Sequence, residues 1–191
     1  KEYGELLRAV RDCGGNFVKI MTTGIMDFSD GGRITGEALP REEVFWMVAM
    51  AHDAGYSVMA HTNGARAVID AVEAGADSIE HGNGQNEESL QCMAEHRAVW
   101  VPTAVTVRNL IGNGRYGDDV LRKLNRDQTE NIRKAAGLGV LMAAGSDAGA
   151  YCVLHGQGIL QEYQVFLETL GDTPQVWQGL QRGEEEIRRR F

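Results

Sequence analysis

The feature that most constrains this chain is a rhythm. Five times, a short run of strand-forming apolar residues is followed by a helical period. "FVKIM" leads to "REEVFWMVAMAHDAG", "YSVMAHT" to "GARAVIDAVEAG", and "DSIEHG" to "NEESLQCMAEH". "AVWVPTAV" leads, past a loop containing "GNGRYG", to "DDVLRKLNRDQTENIRKAAGLG", and "VLMAAGSDAG" to "GQGILQEYQVFLETLG". Strands separated by helices pair in parallel through right-handed crossovers. The fold class is therefore α/β, either an open doubly wound sheet or part of a (β/α)8 barrel of the TIM type. A complete barrel takes about 250 residues. This chain has 191, so five units would make an incomplete one. Ahead of them, "EYGELLRAVRDCGG" reads as a helix closed by glycines, and the tail "TPQVWQGLQRGEEEIRRRF" as a further helix. Residues 22–39 form a polar, glycine-rich loop suited to a lid.

Composition narrows the function classes. A net charge of −8 argues against binding nucleic acid or anionic membranes, and no run of eighteen apolar residues offers a membrane span. Cys13, Cys92 and Cys152 are scattered without paired spacing, which fits reduced thiols and a cytoplasmic location.

Against this background four ionisable residues stand out: Lys19 in "FVKIM", His61 in "VMAHT", His81 in "SIEHG" and Asp147 in "AAGSDAG". All fall at or near the C-terminal ends of strands, where active sites of parallel α/β folds form. Strand alternation places His61 with Ser57 and Met59, and Asp147 with Gly145 and Ala143, faces that leave room at the centre. Each residue alone has a bland reading: a hydrogen-bonded core histidine, a helix-capping aspartate, a lysine paired with a buried acid. Four at the same ends of successive strands favour chemistry. Two imidazoles and a carboxylate suit zinc, and also manganese or iron. Lys19 lies among apolar residues on neither of whose faces solvent is expected. An ammonium cannot ligate a cation, but an uncharged lysine amine can add carbon dioxide to give an anionic carbamate able to bridge two metals.

The chain resembles the amidohydrolase superfamily, in its imidazolonepropionase-like and prolidase-like branch. The likeness is carried by "VKIMTTG", "EEV…AHDAGYSVMAHTNG…AVEAGADSIEHG", "VPT" and "GSDAG" in order, from about Leu6 to Leu170. The resemblance implies a distorted barrel with Lys19 as the carbamylated bridging ligand on its fourth strand. His61 and His81 would be metal ligands on the fifth and sixth, and Asp147 a ligand and catalytic residue at the end of the eighth. One or two divalent metals, zinc first, would be the cofactor. The His-x-His pair of the family's first strand is absent, since of His52, His61, His81, His96 and His155 no two lie two apart. Residues 1–191 are therefore expected to be a partial barrel domain, strands four to eight, of a longer enzyme and inactive alone. Asn63 stands where many relatives carry a second histidine.

The activity so implied is hydrolysis of an amide or other carbon–nitrogen bond, in a dipeptide or a non-peptide, by metal-activated water. Asp147 would take and return the proton. His155 and Arg108 are candidate substrate contacts, the latter for a carboxylate. The partner expected is a small molecule, with a homo-oligomer as the family prior. Rival readings are deamination of a cyclic amidine, a phosphate-binding barrel using "GSDAG", and a degenerate, noncatalytic barrel.

Overall fold

The computed structural model describes residues 2–191. The chain starts with α1 (Glu2–Asp12), β1 (Phe17–Met21), the two-residue strands β2 (Met26–Asp27) and β3 (Arg33–Ile34), and α2 (Arg41–Asp53). It continues through β4 (Ser57–Thr62), α3 (Ala65–Glu73), β5 (Ser78–His81), α4 (Glu87–His96) and β6 (Val99–Val101). It closes with α5 (Val105–Arg108), α6 (Asp118–Leu138), β7 (Leu141–Met142), α7 (Gln157–Leu170) and α8 (Pro174–Arg190).

Five strands form one parallel sheet in the order β1-β4-β5-β6-β7. The strands follow chain order without the reversal that marks a doubly wound sheet, so the architecture is an arc of a β/α barrel. One face, carrying Val18, Ile20, Val58, Ala60, Ile79 and Trp100, forms the main core with helix residues such as Val44, Val48, Val68, Leu90 and Ile132. The opposite face of β6 and of the residues around β7 carries Val99, Val101 and Ala143, against which Ile187 of α8 packs.

Three expectations are corrected. "AVWVPTAV" is strand only over Val99–Val101, because Pro102 has no N–H for the ladder and Thr103 turns to φ 50°, and Val105–Arg108 form α5. The loop of residues 22–39 is structured by the antiparallel pair β2–β3 and a 3₁₀ turn at Phe28–Asp30 that Asp27 caps through Ser29 N–H. Finally, the β1 face with Phe17, Lys19 and Met21 is open to solvent, Met21 being 53% exposed, while Val18 and Ile20 on the other face are buried in the core.

The end of α8 crosses the N-terminal rim of the sheet. Arg190 donates from Nη1 to the Asp77 carbonyl (2.7 Å) and from Nη2 to that of Arg97 (2.9 Å), just ahead of β5 and β6. Ser57 Oγ, at the start of β4, donates to the Arg190 carbonyl (2.5 Å), and Phe191 meets Phe17 of β1 edge to face at 5.4 Å. The opposite rim is left for the loops.

Candidate active site

At the C-terminal rim, Lys19, His61, His81 and Asp147 line one cavity of about 330 Å³. Parallel register explains the convergence, since Met21 of β1 pairs with His61 of β4, and Thr62 pairs with His81 of β5. Buried bonds tie the strand ends together: Thr22 N–H donates to the His61 carbonyl (3.0 Å), and the Thr22 and Thr62 hydroxyls share a 2.8 Å bond.

Backbone strain concentrates here. Among the described residues, five non-glycine residues have positive φ, and four of them, His81, Thr103, Asp147 and Cys152, lie at this rim. A left-handed conformation costs an L-residue about 1–2 kcal/mol, so the surrounding contacts must hold each one. For His81 the indole N–H of buried Trp100 does so, donating to its carbonyl at 2.9 Å.

The two imidazoles sit 4.6 Å apart, edge to face. Burial lowers the pKa of His61, and burial together with His61 pushes that of His81 down to about 4, so both rings are neutral near pH 7. A neutral imidazole has one N–H and one lone pair, and the neighbours fix which is which. The Thr103 hydroxyl donates to the Pro102 carbonyl (2.7 Å), so it can only accept from His81 Nδ1 (2.7 Å). His81 is thereby an Nδ1–H tautomer with its Nε2 lone pair free. His61 Nε2 lies 3.2 Å from both the Gly24 carbonyl and Asn63 Nδ2. Donation to the carbonyl, which can only accept, leaves the lone pair on Nδ1 and makes the Asn63 approach a contact without a hydrogen bond. Buried Asn63 braces this arrangement. Its Nδ2 donates to Gly24 (3.3 Å), and its Oδ1 accepts from Asn83 N–H (3.1 Å) and Nδ2 (2.9 Å).

Lys19 and Asp147 both bear electrostatically on His61, His81 and Glu80. Burial pushes Glu80, hydrogen-bonded to Ser78, up to about 7. The donor set, two neutral imidazoles with one unengaged nitrogen each and a carboxylate on the same cavity, fits a borderline-soft divalent cation. Among the described residues, however, no three His, Cys, Asp or Glu side chains are gathered closely enough to cage one unaided.

The remaining expected site residues fall outside the cavity lining. Arg108 is ion-paired with Glu168 (2.8 Å) on the far side of α5, where a free carboxylate would have to displace a resident one. His155 is exposed and lies against Gly149 of the loop after Asp147, not on the cavity wall. Thr103, Asn83 and Trp100 were not singled out as site residues by sequence reasoning. "VPT" was the signal for Thr103, but a hydroxyl's use depends on partners distant along the chain.

Comparison with known proteins assigns the family. The sequence model of the amidohydrolase family matches residues 2–185, and the chain belongs to that family. It is 34% identical over 113 residues to an uncharacterized protein of Mycobacterium tuberculosis, covering 56% of this chain and 30% of that protein. Among solved structures it is similar to a Xaa-Pro dipeptidase with methionine bound in its active site. There the identity is 26% and the TM-score 0.75, over 97% of this chain and 48% of that one. It is also similar to a prolidase complexed with N-methylphosphonate-L-proline, with identity 30% and TM-score 0.67 over 87% of this chain and 41% of that one. A third is the A. niger ochratoxinase, with identity 25% and TM-score 0.74 over 93% and 41%. The chain thus spans less than half of each of these solved structures.

Proposed function

We propose that this chain supplies the Lys19, His61, His81 and Asp147 part of a metal-dependent hydrolase site that cleaves amide or related carbon–nitrogen bonds of small molecules. The observation that carries the reading is that Lys19 of β1, His61 of β4, His81 of β5 and Asp147 of the loop after β7 line one cavity, with a lone pair left on each imidazole. The printed names of similar proteins, a Xaa-Pro dipeptidase and a prolidase, support amide hydrolysis as the reaction class.

His61 Nδ1 and His81 Nε2 would hold the cation, with zinc the best match to the donors. Lys19 would join the set as a carbamate, formed when an unprotonated lysine amine adds to carbon dioxide and loses a proton to give an anionic oxygen donor. A bound divalent cation supplies Lewis acidity and a water acidified toward neutrality. Asp147 would act as base and then acid, accepting a proton from the attacking water and returning it to the leaving nitrogen. Thr103 and Gly24 keep each imidazole in the tautomer whose lone pair faces the cavity.

The test is hydrolysis of a panel of dipeptides and N-acyl amino acids by zinc-loaded protein, using this chain and the longest reading frame containing it. Asp147→Asn should lower kcat at least about a hundredfold. A variant that turns over at the wild-type rate would remove Asp147 from the mechanism.

A further inference from the structure

Arg108, the arginine expected to meet a substrate carboxylate, is occupied by Glu168. Arg115, in the turn between α5 and α6, stands differently. Its guanidinium carbon lies 4.4 Å over the Tyr151 ring centre and 5.3 Å from that of Tyr116. Both rings line the cavity that holds Lys19, His61, His81 and Asp147. Among the described residues Arg115 has no carboxylate partner, whereas Arg33, Arg108 and Arg122 each have one. Neighbouring Asp118 is already engaged by Gly112 N–H (2.8 Å) and Arg122 (3.4 Å).

The position is built. Arg115 N–H donates to Asn113 Oδ1 (2.9 Å), and Asn113 Nδ2 reaches Cys152 Sγ (3.4 Å). Asn109 Nδ2 donates to the Cys152 carbonyl (2.9 Å), and Phe28 meets Tyr116 edge to face at 5.5 Å. Loops after β1, β6 and β7 therefore converge on the two tyrosines. A guanidinium stacked on rings is oriented and only weakly hydrated, and its fork of N–H donors stays open for a planar anion. On a chain of net charge −8, such a cation at the cavity rim gives an anionic group a local place to bind. The rings beside it, with Met26 and Leu110 on the same lining, suit an apolar side chain.

We infer that Arg115 is the specificity residue of this cavity, binding the free carboxylate of substrates that also carry an apolar side chain, as an N-acyl amino acid or a dipeptide does. The assignment rests on the hydrolase reading only for the word substrate, since binding can be measured without turnover.

The probes are N-acetyl-L-phenylalanine and its carboxamide, titrated by calorimetry into the protein at low salt. Wild type should prefer the acid by about tenfold or more. Arg115→Gln should bring that ratio close to one, and Arg115→Lys should restore part of it. Arg122→Gln, which removes an equal charge nearby, should keep the wild-type ratio, and circular dichroism checks that each variant is folded. A wild type that binds both probes equally, or not at all, overturns the assignment. So does an Arg115→Gln variant that keeps the preference. Selective binding without hydrolysis of the peptide panel by the zinc-loaded longest reading frame would sink the hydrolase reading and leave Arg115 standing, whereas hydrolysis of acids and amides with equal kcat/KM would do the reverse.

Discussion

Two single residues, Thr103 and Glu162, hold the ends of the site's strands in place through one or two hydrogen bonds each. Thr103 has one hydroxyl hydrogen, and spending it on Pro102 dictates the tautomer of His81. Thr103→Val keeps the shape but leaves the Nδ1–H without an acceptor. The variant should lose about 1–3 kcal/mol of stability. In nitrogen-detected NMR at pH 7, wild-type His81 should be a single Nδ1–H tautomer and the variant should not, and a mixed wild-type signal would contradict the assignment. Glu162 is the second. Wholly buried, it accepts from Ala104 N–H (3.0 Å) and Val105 N–H (2.8 Å), so it anchors the chain just after β6. Burial still pushes its carboxyl up to about 7. Between the ordinary carboxylate value and 7 the folded state keeps a proton that the unfolded chain has released. Stability from this residue therefore falls as pH rises through that window and levels off above it, by roughly 3 kcal/mol in all. Denaturant titrations from pH 4.5 to 8 should show this decline, and Glu162→Gln should reduce its slope by about one proton. An unchanged slope would mean that the carboxylate is ionised throughout.

Among the elements, α8 has the least predictable route and an exacting contact. Gly183 is buried, and a Cβ there would fall on the Met142 carbonyl oxygen of β7, so the helix packs backbone to backbone on the sheet. Gly183→Ala should cost about 1–3 kcal/mol despite alanine's better helix propensity, read as a lowered denaturation midpoint. A neutral or stabilising result would show that α8 is not seated there. The strand–helix alternation was legible because apolar spacing reports local periodicity directly, and α2, α3, α4, α6 and α7 all fall within their expected segments. The ends of β6 and β7 were less so, since Pro102 and the turn at Thr103 override the apolar run. The α8 crossing could not be read at all. Nothing near Arg190 in sequence says that it will meet carbonyls 113 and 93 residues away. That Lys19, His61, His81 and Asp147 share one cavity was legible from their places along the strand–helix alternation, whereas the pairing of Arg108 with Glu168, on another helix, was not.

For the molecule as a whole, the two rims of the sheet divide the labour. Arg190 and Phe191 stitch the N-terminal rim, while the C-terminal rim carries the strained residues and the cavity. The central claim is that this rim gathers a divalent cation through His61 and His81, with Lys19 and Asp147 beside them. Anomalous diffraction at the zinc absorption edge, on crystals grown with zinc and bicarbonate, tests it directly. A zinc peak is expected within bonding distance of His61 Nδ1 and His81 Nε2, lost in His61→Ala. Zinc bound only elsewhere, or to the opposite nitrogens, would contradict it.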